Sequence, residues 1–255
     1  MSTHLRCEDI TVSFGGVVAC NKISLDVEEG KIIGLIGPNG AGKTTLFNVL
    51  SRFQDYDSGH VYYRGQAVDN FKAHQMSQLG MARTFQNINL FTEQSTLQNI
   101  LIGAHHRIGN PFANMFWLPQ ARRHEAALVD EAIEIAKMLH LDGELDNLVR
   151  NLPYGFQKRV ELARALAAKP EIILLDEPVA GCNDEETSEL KEIVRRVNQE
   201  LGITILLVEH DMSMVMSVCD YIHVINFGAN LAAGTPAEVQ TDRSVISAYL
   251  GEDVA

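Results

Sequence analysis

The sequence predicts an α/β protein: a mostly parallel sheet with helices on its faces, an antiparallel β piece at the amino end and an inserted α-helical segment. Three observations carry this expectation. Short apolar runs, KIIGLIG (31–37), EIILLDEP (171–178) and ITILLVEHD (203–211), each end in glycine or acidic residues, and the last two flank a helix pattern closed by Gly202. Strand, helix and strand in succession imply parallel pairing, with ligands held at the carboxyl ends of the strands. Residues 4–30 instead alternate in short runs, and residues 95–165 turn helical.

Taken in order, residues 4–30 read as antiparallel strands separated by turns, and GHVYYRG (59–65) reads as a further strand of that piece. The run 31–37 empties into a glycine loop and precedes the helix pattern TTLFNVL. Within 95–165, AALVDEAIEIAKMLHL (126–141) is an amphipathic helix. RIGNPFANMFWLPQARRHE (107–125) reads as irregular and apolar; its Phe116 and Trp117 are either core or a contact for another protein. The expected division is one domain over 1–255, with 1–94 and 166–255 forming the α/β core and 95–165 the helical part.

Acidic residues outnumber Lys and Arg by 33 to 21, a net charge of −12, which argues against a broad basic face for nucleic acid. The opening MSTHLRCEDI carries no apolar stretch of the secretory kind, and the longest apolar runs are too short to span a bilayer. Cys7, Cys20, Cys182 and Cys219 show no CxxC spacing, so free thiols in a reducing compartment are expected.

GPNGAGKTT (37–45) lies between a strand and a helix, the context that identifies a phosphate-binding loop. Gly37, Pro38, Asn39, Gly40, Ala41 and Gly42 let consecutive N–H groups turn toward an anion, and the helix N-terminus adds its dipole. Lys43 supplies charge to the outer phosphates, Thr44 offers a hydroxyl to Mg²⁺, and Thr45 completes the motif. Asp176, at the mouth of an apolar strand, is placed to hold Mg²⁺ through water. Glu177 is then placed to orient or deprotonate an attacking water. His210 ends another strand of the same sheet, Gln86 in ARTFQN is within a loop's reach of the metal, and Phe14 in SFGG is a candidate to stack on adenine.

These parts, in this order, resemble the ATPase subunit of an ABC transporter over nearly the whole chain. The resemblance implies a P-loop NTPase core and ATP with Mg²⁺ as cofactors. It implies that Phe14 faces adenine, that Gln86 senses the metal and a membrane partner, and that His210 holds the γ-phosphate. LPYGFQ (152–157) sits where that family usually reads LSGGQ, and AGCND (180–184) occupies its D-loop, with Asn183 in place of the more usual aspartate. Two such ATPases face each other head to tail, so Pro153, Tyr154 and Gly155 would meet nucleotide held by the opposite phosphate loop. Pro153 suits a first helical turn but lacks the serine hydroxyl, a loss of one charge-assisted hydrogen bond, roughly 1.5–3 kcal/mol. Tyr154 is the residue placed to make up part of it.

Tyr154, the RTFQN stretch, the 107–125 insert, EPVAGCND and the tail GTPAEV…VISAYLGED are similar to ATP-binding subunits of branched-chain amino acid importers, the LivG type. That implies a second ATPase subunit, identical or not, two membrane permease subunits, a periplasmic or extracellular binding protein, and a place on the cytoplasmic face of the membrane. A lipopolysaccharide-export ATPase, which shares the YLGED ending, and a soluble ABC-type switch protein are the alternatives.

Overall fold

The computed structural model describes residues 2–84, 88–107 and 119–250, except the side chains of His106, residues 119–122 and Leu250. Gln86, Phe116, Trp117 and the last five residues of the tail lie outside the described residues.

Two sheets form the frame. β1 (Thr3–Phe14), β2 (Val17–Glu28), β4 (Ser58–Tyr63) and β5 (Gln66–Ala67) make an antiparallel sheet in the order β2-β1-β4-β5. The expected amino-terminal β piece is therefore present, and GHVYYRG supplies the strand that pairs with β1. The second sheet contains β3 (Ile32–Ile36), β6 (Met81–Arg83), β7 (Ile172–Asp176), β8 (Thr204–Val208), β9 (Tyr221–Asn226) and β10 (Ala229–Gly234). Its order is β10-β9-β3-β8-β7-β6, all neighbours parallel except the β10–β9 hairpin.

β3, β7 and β8 are buried along their whole length, which is why they read as continuous apolar runs. Alternate side chains feed two cores. Ile33, Leu35, Leu174 and Leu206 face the antiparallel sheet and α1 (Lys43–Leu50). Ile32, Ile36, Ile173 and Leu207 face the helices α5 (Tyr154–Ala167), α6 (Asp184–Leu201) and α7 (Met212–Val218). The sheets are also joined through buried His4, whose Nδ1 lies 2.7 Å from Thr204 Oγ1 and whose pKa burial lowers.

Short α2 (Ala73–Gln78) precedes β6, and α3 (Thr96–Gly103), α4 (Pro119–Met138) and α5 build the helical part. Helix begins at Pro119, so the stretch expected to be irregular to residue 125 is helical over its last seven positions. The polar run QARRHE, in which Arg122, Arg123 and Glu125 carry charge, hid the pattern; further along the same helix Leu128, Ala132 and Ala136 are buried. α3 and α5 touch through Gly103, where an added Cβ would stand 1.9 Å from the Arg164 carbonyl oxygen. α8 (Pro236–Thr241) and α9 (Arg243–Leu250) close the described chain. No helix among the described residues is long and apolar enough to cross a membrane.

Candidate nucleotide site

β3, β7 and β8 lie side by side in the order β3-β8-β7, with Leu35 opposite Val208 and Asp176 opposite Val208 on its other side. The residues that follow each strand therefore meet at one rim of the sheet. After β3, residues 37–42 curl into the start of α1. Gly42 is the N-cap at φ 100°, and a Cβ there would lie 2.4 Å from the Ala19 carbonyl oxygen, so only glycine fits. β2 thus leans on the loop, and the hairpin that carries Phe14 is fixed beside it; Phe14 itself is half exposed.

Lys43 is buried, and its Nζ donates to the carbonyl oxygens of Gly37 (2.7 Å) and Pro38 (3.0 Å). The ammonium is held across the mouth of its own loop. Burial lowers its pKa, and the Glu177 carboxylate opposes that shift. Thr44 is exposed at the first turn of α1, and Thr45 is half-buried.

Asp176 is buried at the end of β7. Its Oδ2 accepts from Arg83 Nη2 at 3.1 Å, and its backbone N–H donates to Thr84 Oγ1 at 3.2 Å. Burial pushes the carboxyl pKa up, and Arg83 pulls it back. Arg83 is itself wedged in place: Nη1 donates to Ser51 Oγ at 2.7 Å, and the guanidinium lies over the Phe47 ring at 4.7 Å. Nothing in the sequence singles Arg83 out: it closes β6, and its partner Asp176 lies 93 residues further along the chain.

Glu177 adopts φ 48°, a left-handed conformation unusual for a side chain of its size, and its N–H donates to Val208 O at 2.9 Å. Its Oε1 lies 3.8 Å from His210 Nδ1, and the histidine is more than half exposed. The structure therefore brings the phosphate loop, Asp176, Glu177 and His210 to one rim.

The tip of α5 meets a different set of groups. Pro153 is the N-cap rather than a residue of the first turn, at ψ 154°. Gly155 is buried, and its N–H donates to Glu186 Oε1 at 3.3 Å; Glu186 also closes the capping box of α6 with Asn183. Tyr154 packs on the D-loop turn of its own chain, where a Cβ on Gly181 would stand 3.1 Å from the ring. Its ring is engaged within the chain. Phe156 is half-buried under the Arg159 guanidinium at 4.8 Å.

Two further residues went unnoticed in the sequence. Glu209, immediately before His210, is fully buried. Tyr249 on α9 has its hydroxyl pKa raised by burial, and the nearby Gly37 backbone of the phosphate loop opposes that shift. The four cysteines are free thiols, and no cluster of three metal-ligating side chains occurs among the described residues.

A phosphate loop feeding α1, a buried strand ending in Asp176–Glu177 and a neighbouring strand ending before His210 define a nucleotide-binding cassette. The chain belongs to the ABC transporter family, whose model matches residues 20–180. Residues 229–255, which include α9, match the model of branched-chain amino acid ATP-binding cassette transporters. The chain is 40% identical over 249 residues to the high-affinity branched-chain amino acid transport ATP-binding protein BraF of Pseudomonas aeruginosa, covering 97% of this chain and 98% of that protein. It is 39% identical to LivG, of the same description, from Escherichia coli K12, with the same coverage. Among solved structures, an ABC transporter cassette in its ADP conformation matches with TM-score 0.85 at 32% identity, covering 98% of this chain and 99% of that one. A nucleotide-free cassette matches with TM-score 0.84 at 31% identity, covering 98% and 100%.

Proposed function

We propose that this chain is the ATP-binding and ATP-hydrolysing subunit of a branched-chain amino acid importer. The observation that carries the reading is the 40% identity to BraF over 97% of the chain, together with the meeting of Lys43, Asp176, Glu177 and His210 at one rim. Lys43 and the amides of 37–45 hold the β- and γ-phosphates, and Phe14 carries the adenine. The donors fit Mg²⁺: a Thr44 hydroxyl and an Asp176 carboxylate are hard oxygen ligands, and this ion keeps its remaining positions for water and phosphate. Gln86 is the third residue assigned to it. When bound, the metal neutralises charge developing on the phosphates.

Glu177 takes the proton of the attacking water, and His210 steadies the γ-phosphate and the carboxylate beside it. A second cassette presents its own helix tip, equivalent to Pro153–Gly155, to this nucleotide. Helix N-terminal amides favour an anion there.

Transport needs permease subunits in the membrane and a binding protein that delivers the amino acid. A groove of about 780 Å³ between α2, β6, α3 and α5 supports a permease contact. It is lined by Met76, Met81 and Ile102 among polar residues, a surface suited to a short amphipathic helix. Arg83 lines the same groove and bonds Asp176, so whatever docks there presses on the metal ligand's partner. On this reading the chain sits peripherally on the cytoplasmic face of the membrane.

The test is reconstitution with the permeases in vesicles. Leucine-loaded binding protein should raise the ATP hydrolysis rate and drive leucine accumulation, and lysine-loaded protein should do neither. Equal stimulation by both, or none by either, would contradict the assignment.

A further inference from the structure

We propose that Glu209 is a positioning residue for hydrolysis, the single carboxylate that holds His210 and the turn after Glu177 as one rigid unit. The inference rests on the roles given above to Glu177 and His210.

Glu209 has no exposed surface. Its Oε1 accepts from the backbone N–H of Val179 at 3.0 Å, two residues beyond Glu177. Its Oε2 accepts from the N–H of His210 at 2.9 Å and of Asp211 at 3.1 Å. One side chain thus spans two loops that leave adjacent strands, β7 and β8. Each loop is also fixed further on. Ala180 N–H donates to Glu177 O at 3.2 Å, and Asp211 caps α7 through Met214 N–H at 2.8 Å. Between the two loops stand Glu177 Oε1 and His210 Nδ1, 3.8 Å apart.

Burying a carboxylate is costly, and burial does raise the pKa of this one; the three backbone bonds oppose that shift ahead of His210. An apolar residue would stabilise the fold at lower cost if packing were the only need. Three N–H groups from two loops, however, require acceptors on both oxygens. Gln has one acceptor oxygen, and its NH₂ would confront a donor. Asp is one methylene shorter and cannot reach both loops from the same Cα. The chemistry at this position therefore calls for Glu, and for a reason that concerns relative placement of two catalytic side chains.

The test compares Glu209→Gln and Glu209→Asp with the unaltered chain, well below each variant's own melting temperature. Both should lower kcat at saturating ATP by roughly ten- to a hundredfold, the scale of a small misplacement of reacting groups. Binding of a fluorescent ATP analogue should change by less than about twofold, since the phosphate loop is untouched. A residue that only stabilises the fold would lower the melting temperature and leave kcat intact. Unchanged kcat in Glu209→Gln, or a loss of kcat matched by an equal loss of nucleotide binding, overturns the inference. His210→Ala serves as the companion. If that variant keeps full activity, the role of His210 fails and this inference with it; if it loses activity while Glu209→Gln does not, the inference alone fails.

Discussion

Glu177→Gln is expected to lower ATP turnover by about a hundred- to ten-thousandfold, the range in which a positioned general base contributes, and to leave ATP bound. The substitution keeps shape and removes only the proton acceptor. The strained backbone at φ 48° is held by the Glu177 N–H bond to Val208 O, and Gln at the same position inherits it. Lys43 and the loop amides are untouched, so nucleotide affinity should stay within a few-fold. Single-turnover phosphate release with bound ATP checks this. Release at the unaltered rate would remove Glu177 from the role assigned to it.

The second large effect concerns stability. Arg83→Met removes the guanidinium that neutralises Asp176 and leaves a buried acid, with Lys158 the remaining cation that lowers its pKa. Breaking a buried pair from one side costs about 3–5 kcal/mol. The pH dependence follows from the sign of the shift. Burial already raises the Asp176 pKa, and losing Arg83 raises it further. A carboxyl whose folded pKa exceeds its unfolded one binds more protons when folded, so its contribution is full below the unfolded value and is lost as pH rises through the folded value. The deficit of Arg83→Met in a denaturant titration should therefore grow as pH rises from about 4, near the unfolded carboxyl value, toward neutrality. Adding Asp176→Asn should recover most of it. A pH-independent deficit, or none, would show that the pair is not what holds this edge.

How much was legible beforehand follows from the kind of signal each residue gives. β3, β7 and β8 are buried on both faces, so their apolar runs were unmistakable, and the phosphate loop sat between strand and helix. Asp176, Glu177 and His210 were readable because polar residues interrupt such runs only where the strand leaves the sheet. Arg83 was not: its partner is 93 residues away, and sequence spacing carries no trace of that contact. Glu209 hid behind His210, because a buried carboxylate bound only by backbone amides looks like any surface acid. Tyr154, placed by the resemblance to make up part of the missing serine bond, lies with one ring edge against the turn at Gly181 and stays 41% exposed, a packing that its sequence position does not reveal. The first turns of the helix from Pro119 were missed because the polar run QARRHE carries no apolar period; that period starts at Leu128, Ala132 and Ala136.

The central claim is a nucleotide shared between two cassettes, and crosslinking in the Glu177→Gln background tests it most directly. Gly155 is a poor place for a probe, because a Cβ there would stand 2.5 Å from Glu186 Oε1. Pro153 and Asn39 are both exposed, so Pro153→Cys on one cassette and Asn39→Cys on the other, with partly buried Cys182 replaced by serine, supply the pair. With ATP present the two should crosslink between chains, either two copies of this one or this one and a sister subunit, and without ATP they should not. No ATP-dependent crosslink in either pairing would contradict the shared site.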